Sequence, residues 1–274
     1  MSNLAARRGF RTALVTGASS GLGREFARML RAEGLEVWGT SRDAARVPTA
    51  EGFRALALEV GEAASVRTAV EQFRREAGGA PDVLVNNAGA GVFAALARFP
   101  EEEVSGQLRV LLEGPAVLTR AFWPEMLARG RGAVVNVASL AAEFPLPCLS
   151  LYSAAKAGLA AFSQALMIEA AGRGVQVVDF QPGDFRTAFN RAARRPEGAE
   201  AWEQRAWARF EQLLENGPAP DRAARDLRHA LLGGRSGTFA TGDFFQTTVA
   251  PLAQRLFGRA VVRWFMRKYY RLDG

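Results

Sequence analysis

Tyr152 and Lys156 stand four residues apart in the stretch Tyr152-Ser153-Ala154-Ala155-Lys156. The chain has 3 tyrosines, and of its 35 basic residues only Lys156 and Lys268 are lysines. A lysine used so sparingly in an arginine-rich chain calls for a reason. On a helix, residues four apart share a face. An ammonium beside a phenol favours the phenolate and draws its pKa down from about 10 toward working pH. Arginine serves poorly here, since it keeps its proton and is a planar fork, not a compact point charge. For an isolated pair, the alternative is two exposed residues on one helix face; the surrounding chain decides between the two.

A helix over 153–171 is predicted to carry the pair, and the rest of the chain supplies its scaffold. Short apolar runs over 12–15, 36–39, 55–60, 83–86, 133–137 and 175–180 read as buried parallel strands. Helix-length segments over 22–32, 63–77 and 101–128 lie between them. Strands alternating with helices imply right-handed crossovers and an α/β, Rossmann-type doubly wound parallel sheet. Such sheets bind ligands beyond the carboxyl ends of their strands. From about 187 to 217 the pattern changes to a segment rich in Arg, Ala, Glu and Trp, read as inserted helices that form a substrate lid. A short strand near 238–241 closes the sheet, and a C-terminal amphipathic helix begins near Pro251. All of 1–274 reads as one domain, with a core over 10–190, the lid over 187–217 and a basic tail over 249–274.

Hydrophobic residues make up 49% of the 274, enough for a substantial core. The stretch before Arg11 has no apolar signal-peptide segment, and no apolar run reaches the length of a membrane span. A cytoplasmic protein is expected. The single cysteine, Cys148, excludes an internal disulfide and a cysteine metal cluster, and the single histidine, His229, argues against a histidine metal site. No metal is expected. Of the net charge of +7, the segment 251–274 carries +5, from five arginines and one lysine against one aspartate. The other 250 residues carry only +2, which argues against a broad nucleic-acid surface.

Thr16-Gly17-Ala18-Ser19-Ser20-Gly21-Leu22-Gly23 follows the first predicted strand and opens the first long helix. Glycines let backbone approach a pyrophosphate, and the helix start offers free N–H groups and a favourable dipole. Asn86-Asn87-Ala88-Gly89 ends the fourth strand, Ser139 lies thirteen residues before Tyr152, and Pro182-Gly183-Asp184-Phe185-Arg186-Thr187 follows the sixth strand. With Tyr152 and Lys156 these motifs resemble the short-chain dehydrogenase/reductase family over roughly residues 10–190. The resemblance implies that Tyr152 protonates a carbonyl oxygen during hydride delivery. It implies that Lys156 lowers the tyrosine pKa and holds the nicotinamide ribose, and that Ser139 hydrogen-bonds the substrate oxygen. It further implies a cofactor cradle of Gly17, Ser19, Ser20, Gly21, Leu22 and Gly23, with Asn87, Ala88 and Gly89. Glu59 and Val60 are expected at the adenine, and Pro182, Gly183, Phe185 and Thr187 at the nicotinamide carboxamide. One position departs. The family's relay asparagine falls on Leu111, and leucine cannot hold that water. Gln107 substitutes, or a backbone carbonyl and water chain suffices, or activity is reduced.

The second strand runs into Ser41-Arg42-Asp43. An acid at this strand end binds the 2′-hydroxyl of NAD, whereas an arginine accommodates the 2′-phosphate of NADP. Ser41 and Arg42 fall where relatives preferring NADP carry a basic residue, so NADP(H) is the expected cofactor, with NAD(H) open because of Asp43. Substrate-facing positions are expected at Ala141, Ala142, Glu143, Phe144, Pro145, Leu146 and Leu149, at Phe185 and Phe189, and on the helix carrying Trp202 and Trp207. This mostly apolar lining points to a bulky lipophilic ketone or alcohol of steroid, retinoid or lipid type, and the tail is similar in character to hydroxysteroid- and retinol-type members. Two other readings stay open. One is reduction of a β-ketoacyl thioester on a carrier protein or coenzyme A, and the other is an NADP-binding sensor or scaffold. A homodimer or homotetramer is expected. Arg255, Arg259, Arg263, Arg267 and Arg271 would form a slowly winding stripe on a helix. Docking of that helix on its own sheet or on a second subunit is preferred to contact with an anionic membrane.

Overall fold

The structure, a computed structural model, describes residues 3–187, 189 and 193–272, with backbone alone at 253–257 and 259. In chain order its main elements are α1 (Leu4–Arg8), β1 (Thr12–Val15), α2 (Gly21–Ala32), β2 (Glu36–Ser41), β3 (Arg54–Ala57), α3 (Ala63–Ala77), β4 (Val83–Asn86), α4 (Glu101–Leu108) and α5 (Gly114–Ala128). There follow β5 (Gly132–Val137), α6 (Ser150–Glu169), β6 (Val175–Pro182), α7 (Ala201–Asn216), α8 (Pro220–Gly233), β7 (Gly237–Thr241) and α9 (Ala250–Tyr269). The seven strands form one sheet in the order β3-β2-β1-β4-β5-β6-β7, with every pairing parallel.

The central strands are buried along their whole length, as their unbroken apolar runs require once helices cover both faces. One apolar layer packs α2 and α8 against the sheet through Phe26, Leu30, Leu227 and Phe180. The opposite layer joins α3 and α5 through Phe73, Leu118 and Phe122. Strand order reverses between β1 and β4, which opens the crevice above their carboxyl ends.

A buried polar chain fixes α6 on the sheet. Asn86 Nδ2 donates to Asn136 Oδ1 at 2.8 Å, and Asn136 Nδ2 donates to Ser163 Oγ at 2.9 Å. Each partner sits in an apolar layer, so each lost bond would strand a buried polar atom.

Three expectations change. The third strand stops at Ala57, because β2 runs out at Ser41, its partner across the ladder. Glu59 and Val60 therefore follow the strand rather than end it. The single helix expected over 101–128 is divided by a π-helical turn, Arg109–Glu113. The arginine stripe is not one continuous ridge, because Gly258 breaks α9 with φ 73° and ψ 178°. The side chains of Arg255 and Arg259 in that stripe, and of Leu256 and Phe257 beside it, lie outside the described residues.

Beyond the kink, α9 turns Phe265, Met266, Tyr269 and Tyr270 inward, whereas Val261 and Trp264 face out. No helix among the described residues is long and apolar enough to cross a membrane.

Candidate active site

The carboxyl ends of β1, β4, β5 and β6 meet at one cavity of about 450 Å³. Its floor is the glycine-rich turn between β1 and α2. Gly17 has φ 68°, a conformation in which a side chain is strained. At Gly23 a Cβ would overlap the Gly17 carbonyl oxygen and the Asn87 amide. Asn87 Nδ2 donates to Thr16 O at 2.9 Å and ties this turn to the end of β4. The turn is therefore bare backbone at a helix N-terminus, a surface that fits a dinucleotide pyrophosphate.

Ser139 caps the short turn after β5, with its Oγ accepting from Ala141 N at 3.1 Å. Tyr152 lies in the first turn of α6, and Lys156 lies one turn later. All three line the cavity. The ammonium does not meet the phenol as expected. Lys156 Nζ donates to Val137 O at 2.6 Å and lies 5.7 Å from the Tyr152 ring centre. Burial acts on both groups. It pushes the phenol up to about 12, against an opposing hydrogen bond from Ser139. It draws the ammonium down to about 8, against the field of Asp179. The expected lowering of the phenol is thus reversed here, because desolvation outweighs the Ser139 hydrogen bond. A phenol at about 12 holds its proton at neutral pH, which is the form a proton donor requires.

Leu111 is 1% exposed and lies inside the π-helical turn. Its side chain closes on Gly89, where a Cβ would come within 2.9 Å of Leu111 Cδ2. The widened turn loosens the regular carbonyl pairing of the helix. Nearby, Gln107 Nε2 donates to Ala90 O at 3.1 Å, while its buried Oε1 has no partner among the described residues. Gln107 Oε1, one helical turn before Leu111 in the chain, is thus a buried acceptor that a water could satisfy.

At the far end, Ser41, Arg42 and the rim residue Arg46 line the cavity. Asp43 is turned away, because its Oδ1 accepts from Ala45 N at 3.0 Å and caps the next turn. Arg42 has a side chain 77% exposed, with Glu59 4.0 Å away.

Every expected cofactor residue, from Gly17 to Thr187, lines this one cavity, together with Ala141, Phe144, Leu146, Leu149, Phe185 and Phe189. Five expected substrate residues do not. Ala142, Glu143 and Pro145 lie outside the lining. Trp202 donates to Glu200 Oε2 at 2.9 Å on an exposed face, and Trp207 packs between Phe93 and Phe210. Trp202 falls off the buried stripe of its helix, whereas Trp207 lies on that stripe but is spent against Phe93; Phe210 and Leu214 of the same stripe line the cavity. Sequence reasoning missed Arg46, Asp184, Gln246 and the wall made by Phe245, Phe265, Met266, Tyr269 and Tyr270. The sequence carried no signal for which of these residues face the site, although all 3 tyrosines of the chain line it.

A parallel doubly wound sheet with a glycine-lined crevice, a serine, a tyrosine and a lysine defines the class of nucleotide-dependent α/β oxidoreductases. Residues 11–198 match the family model described as short chain dehydrogenase, and the chain belongs to that family. It is 34% identical over 249 residues to a 3-ketodihydrosphingosine reductase of Bacteroides thetaiotaomicron, covering 90% of each chain. It is 35% identical to an NADPH-dependent 1-acyldihydroxyacetone phosphate reductase of Schizosaccharomyces pombe, over 64% of this chain and 60% of that one. A crystal structure of a short-chain dehydrogenase from Streptomyces avermitilis superimposes with a TM-score of 0.79 at 29% identity, over 96% of this chain and 97% of that one.

Proposed function

We propose that the protein is an NADPH-dependent carbonyl reductase acting on a long-chain lipophilic ketone, and in reverse an alcohol dehydrogenase. The observation that carries this reading is the shared cavity, in which Ser139, Tyr152 and Lys156 open onto a wall of Phe144, Leu149, Phe189, Phe265 and Met266. The two relatives described above, whose names specify lipid-type carbonyl substrates, support the same substrate class.

Bound NADPH would supply the hydride. The chain's own residues would do the rest. Ser139 would orient the carbonyl oxygen through its hydroxyl. Tyr152, still protonated at neutral pH, would donate to that oxygen as negative charge develops on it. Lys156 would place a positive charge beneath the site and hold ribose hydroxyls. The apolar wall would exclude water. Arg42 and Arg46 face the end of the crevice where a 2′-phosphate would lie, and Asp43 is spent on a cap. This arrangement supports NADPH over NADH.

Oxidation of NADPH and of NADH should be followed against long-chain ketones, short ketones and acyl thioesters. Long-chain ketones with NADPH should be the best pair. Tyr152→Phe should lower turnover by about 10²–10⁴ and leave NADPH affinity nearly unchanged, since only the proton donor goes. Near-normal turnover in that variant would remove the assignment of the acid, and a preference for thioesters would replace the substrate class.

A further inference from the structure

Parallel strands all begin at one edge of their sheet. Residues just before β1, at the starts of β2 and β3, and just before β5 therefore gather at the edge opposite the cofactor crevice. Here those residues are Arg11, Glu36, Arg54 and Arg131. With Arg31, in the last turn of α2, they line a second cavity, an open bowl of about 670 Å³. Gly9 and Gly52 lie in its wall with φ of 63° and 83°, so the wall there is bare backbone under guanidinium groups. A Cβ at Gly52 would come within 2.9 Å of Arg31 Nε, and one at Gly9 within 3.8 Å of Arg131 Nη1.

The charges of the bowl do not balance. Its lining holds four arginines against one acid, Glu36, a net of +3. Outside the tail the whole chain carries only +2, so the bowl is a concentration of charge in a nearly neutral body. Arg54 Nη2 meets Glu36 Oε1 at 2.5 Å, which occupies the acid. Arg131 Nη2 reaches Asp82 Oδ1 at 3.3 Å, but Arg129 Nη2 stands at the same 3.3 Å from that oxygen. The other Asp82 oxygen accepts from Arg11 N at 2.7 Å and from Thr12 N at 3.2 Å. One carboxylate thus serves two arginines and two amides. The side chains of Arg11 and Arg31 have no ion-pair partner among the described residues. The carboxyl end of α2 offers Arg31 about half a charge at most. Like charges around one cavity repel, and an anion among them relieves that repulsion.

The spread of the arginines fixes the kind of anion. Four strand spacings separate the roots of Arg54 and Arg131, roughly 19 Å. One tetrahedral oxyanion spans a single pair of guanidinium groups, whereas linked phosphates carry charge across the bowl and offer each fork two oxygens. We propose that this bowl binds a diphosphate or longer phosphate chain, free or on a nucleotide, at a site separate from the cofactor crevice. The glycine turn of the crevice opens α2, and Arg31 lies at the far end of the same helix. Its 12 residues span about 18 Å, so one ligand cannot fill both sites.

The test uses the full chain saturated with NADPH, so that the crevice is already filled. Pyrophosphate, ATP and inorganic phosphate are compared in metal-free buffer at equal ionic strength, by melting temperature and by calorimetric titration. Pyrophosphate and ATP should bind about tenfold or more tighter than phosphate, and added salt should weaken both. Tighter binding of ATP than of pyrophosphate would make the source a nucleotide, and equal binding would make it the phosphate chain alone; either sustains the site. Arg11→Gln combined with Arg31→Gln should weaken pyrophosphate by about tenfold or more, the scale of losing a charged hydrogen bond. Both side chains are exposed, so the fold should be kept. Arg7→Gln, on α1 but outside the lining, should change little. Phosphate binding as tightly as pyrophosphate overturns the proposal, as does no binding of either, or a loss in Arg7→Gln as large as in the double variant. If NADPH itself does not bind, the reductase reading falls by itself, and the variants then decide the bowl. Loss of pyrophosphate in the double variant but not in Arg42→Ala sustains it; loss in Arg42→Ala alone puts the anion in the crevice and overturns it.

Discussion

Lys156 is 5% exposed, and its ammonium is drawn down to about 8 by burial, against about 10.4 in an unfolded chain. Between those values the unfolded chain binds the extra proton. Stability therefore rises with pH across that window, and the penalty is at its full size below about 8. Methionine at this position would remove the penalty and lose the bond to Val137 O. Without added nucleotide, Lys156→Met should melt above the parent by the equivalent of about 1 kcal/mol at pH 7, and the gap should close as pH rises toward 10. Melting curves across that range check this; a variant equally destabilised at every pH would make the lysine a structural anchor. Arg42 belongs to the same scale. Arg42→Ala should weaken NADPH by about 1.5–3 kcal/mol, less whatever Arg46 retains, and should affect NADH much less. Fluorescence titration of both cofactors measures it, and equal losses would show that the guanidinium does not read the phosphate. That Tyr152, Lys156, Arg42 and the glycines share one cavity was legible, because residue type and spacing set them at strand ends and on one helix face. The direction of the Tyr152 shift was not, because desolvation depends on what packs around the phenol.

At the scale of elements, β1 and β4 coincide with their apolar runs because burial on both faces leaves no other composition open to them. The π-helical turn at Arg109–Glu113 had no such signal. A change of hydrogen-bond register inside a helix alters no periodicity over so few residues. Leu111 lies within the turn and packs on Gly89, so the turn forms without asparagine at this position. Leu111→Asn should then gain little. It would forfeit the packing of Leu111 on Gly89 and bring a polar group into a site 1% exposed, at a cost of roughly 1–3 kcal/mol. Melting temperature should fall and turnover on an accepted ketone should not rise, as thermal scans and the pH dependence of turnover would show. A stable, severalfold faster variant would mean that the relay had simply been lost.

At the scale of the whole molecule, the cavity is closed by parts far apart in sequence. Tyr270 is 2% exposed and packs in one apolar cluster with Leu149 and Phe210. This cluster joins the end of α9 to the loop before α6 and to α7. The amphipathic character of the tail was legible, but which of its aromatic residues turn inward was not, since the Gly258 kink and the surface that receives the helix are long-range features. None of the expected cofactor residues, from Gly17 to Thr187, belongs to this wall. A chain shortened after Val249 keeps Gln246, the sheet and the glycine turn, and loses Phe265, Met266, Tyr269 and Tyr270. It should bind NADPH within a fewfold of the parent. Its KM for a long-chain ketone should rise by about tenfold or more, the scale of losing one or two buried aromatic contacts, whereas a short ketone should be little affected. Its melting temperature should fall, since the cluster around Leu149 and Phe210 loses a buried tyrosine. Cofactor titration and KM for ketones of graded length, measured well below the new melting point, separate the two functions of the tail. Parallel loss of cofactor and ketone affinity would make α9 part of the scaffold; loss confined to the long ketone would make it the wall that selects chain length.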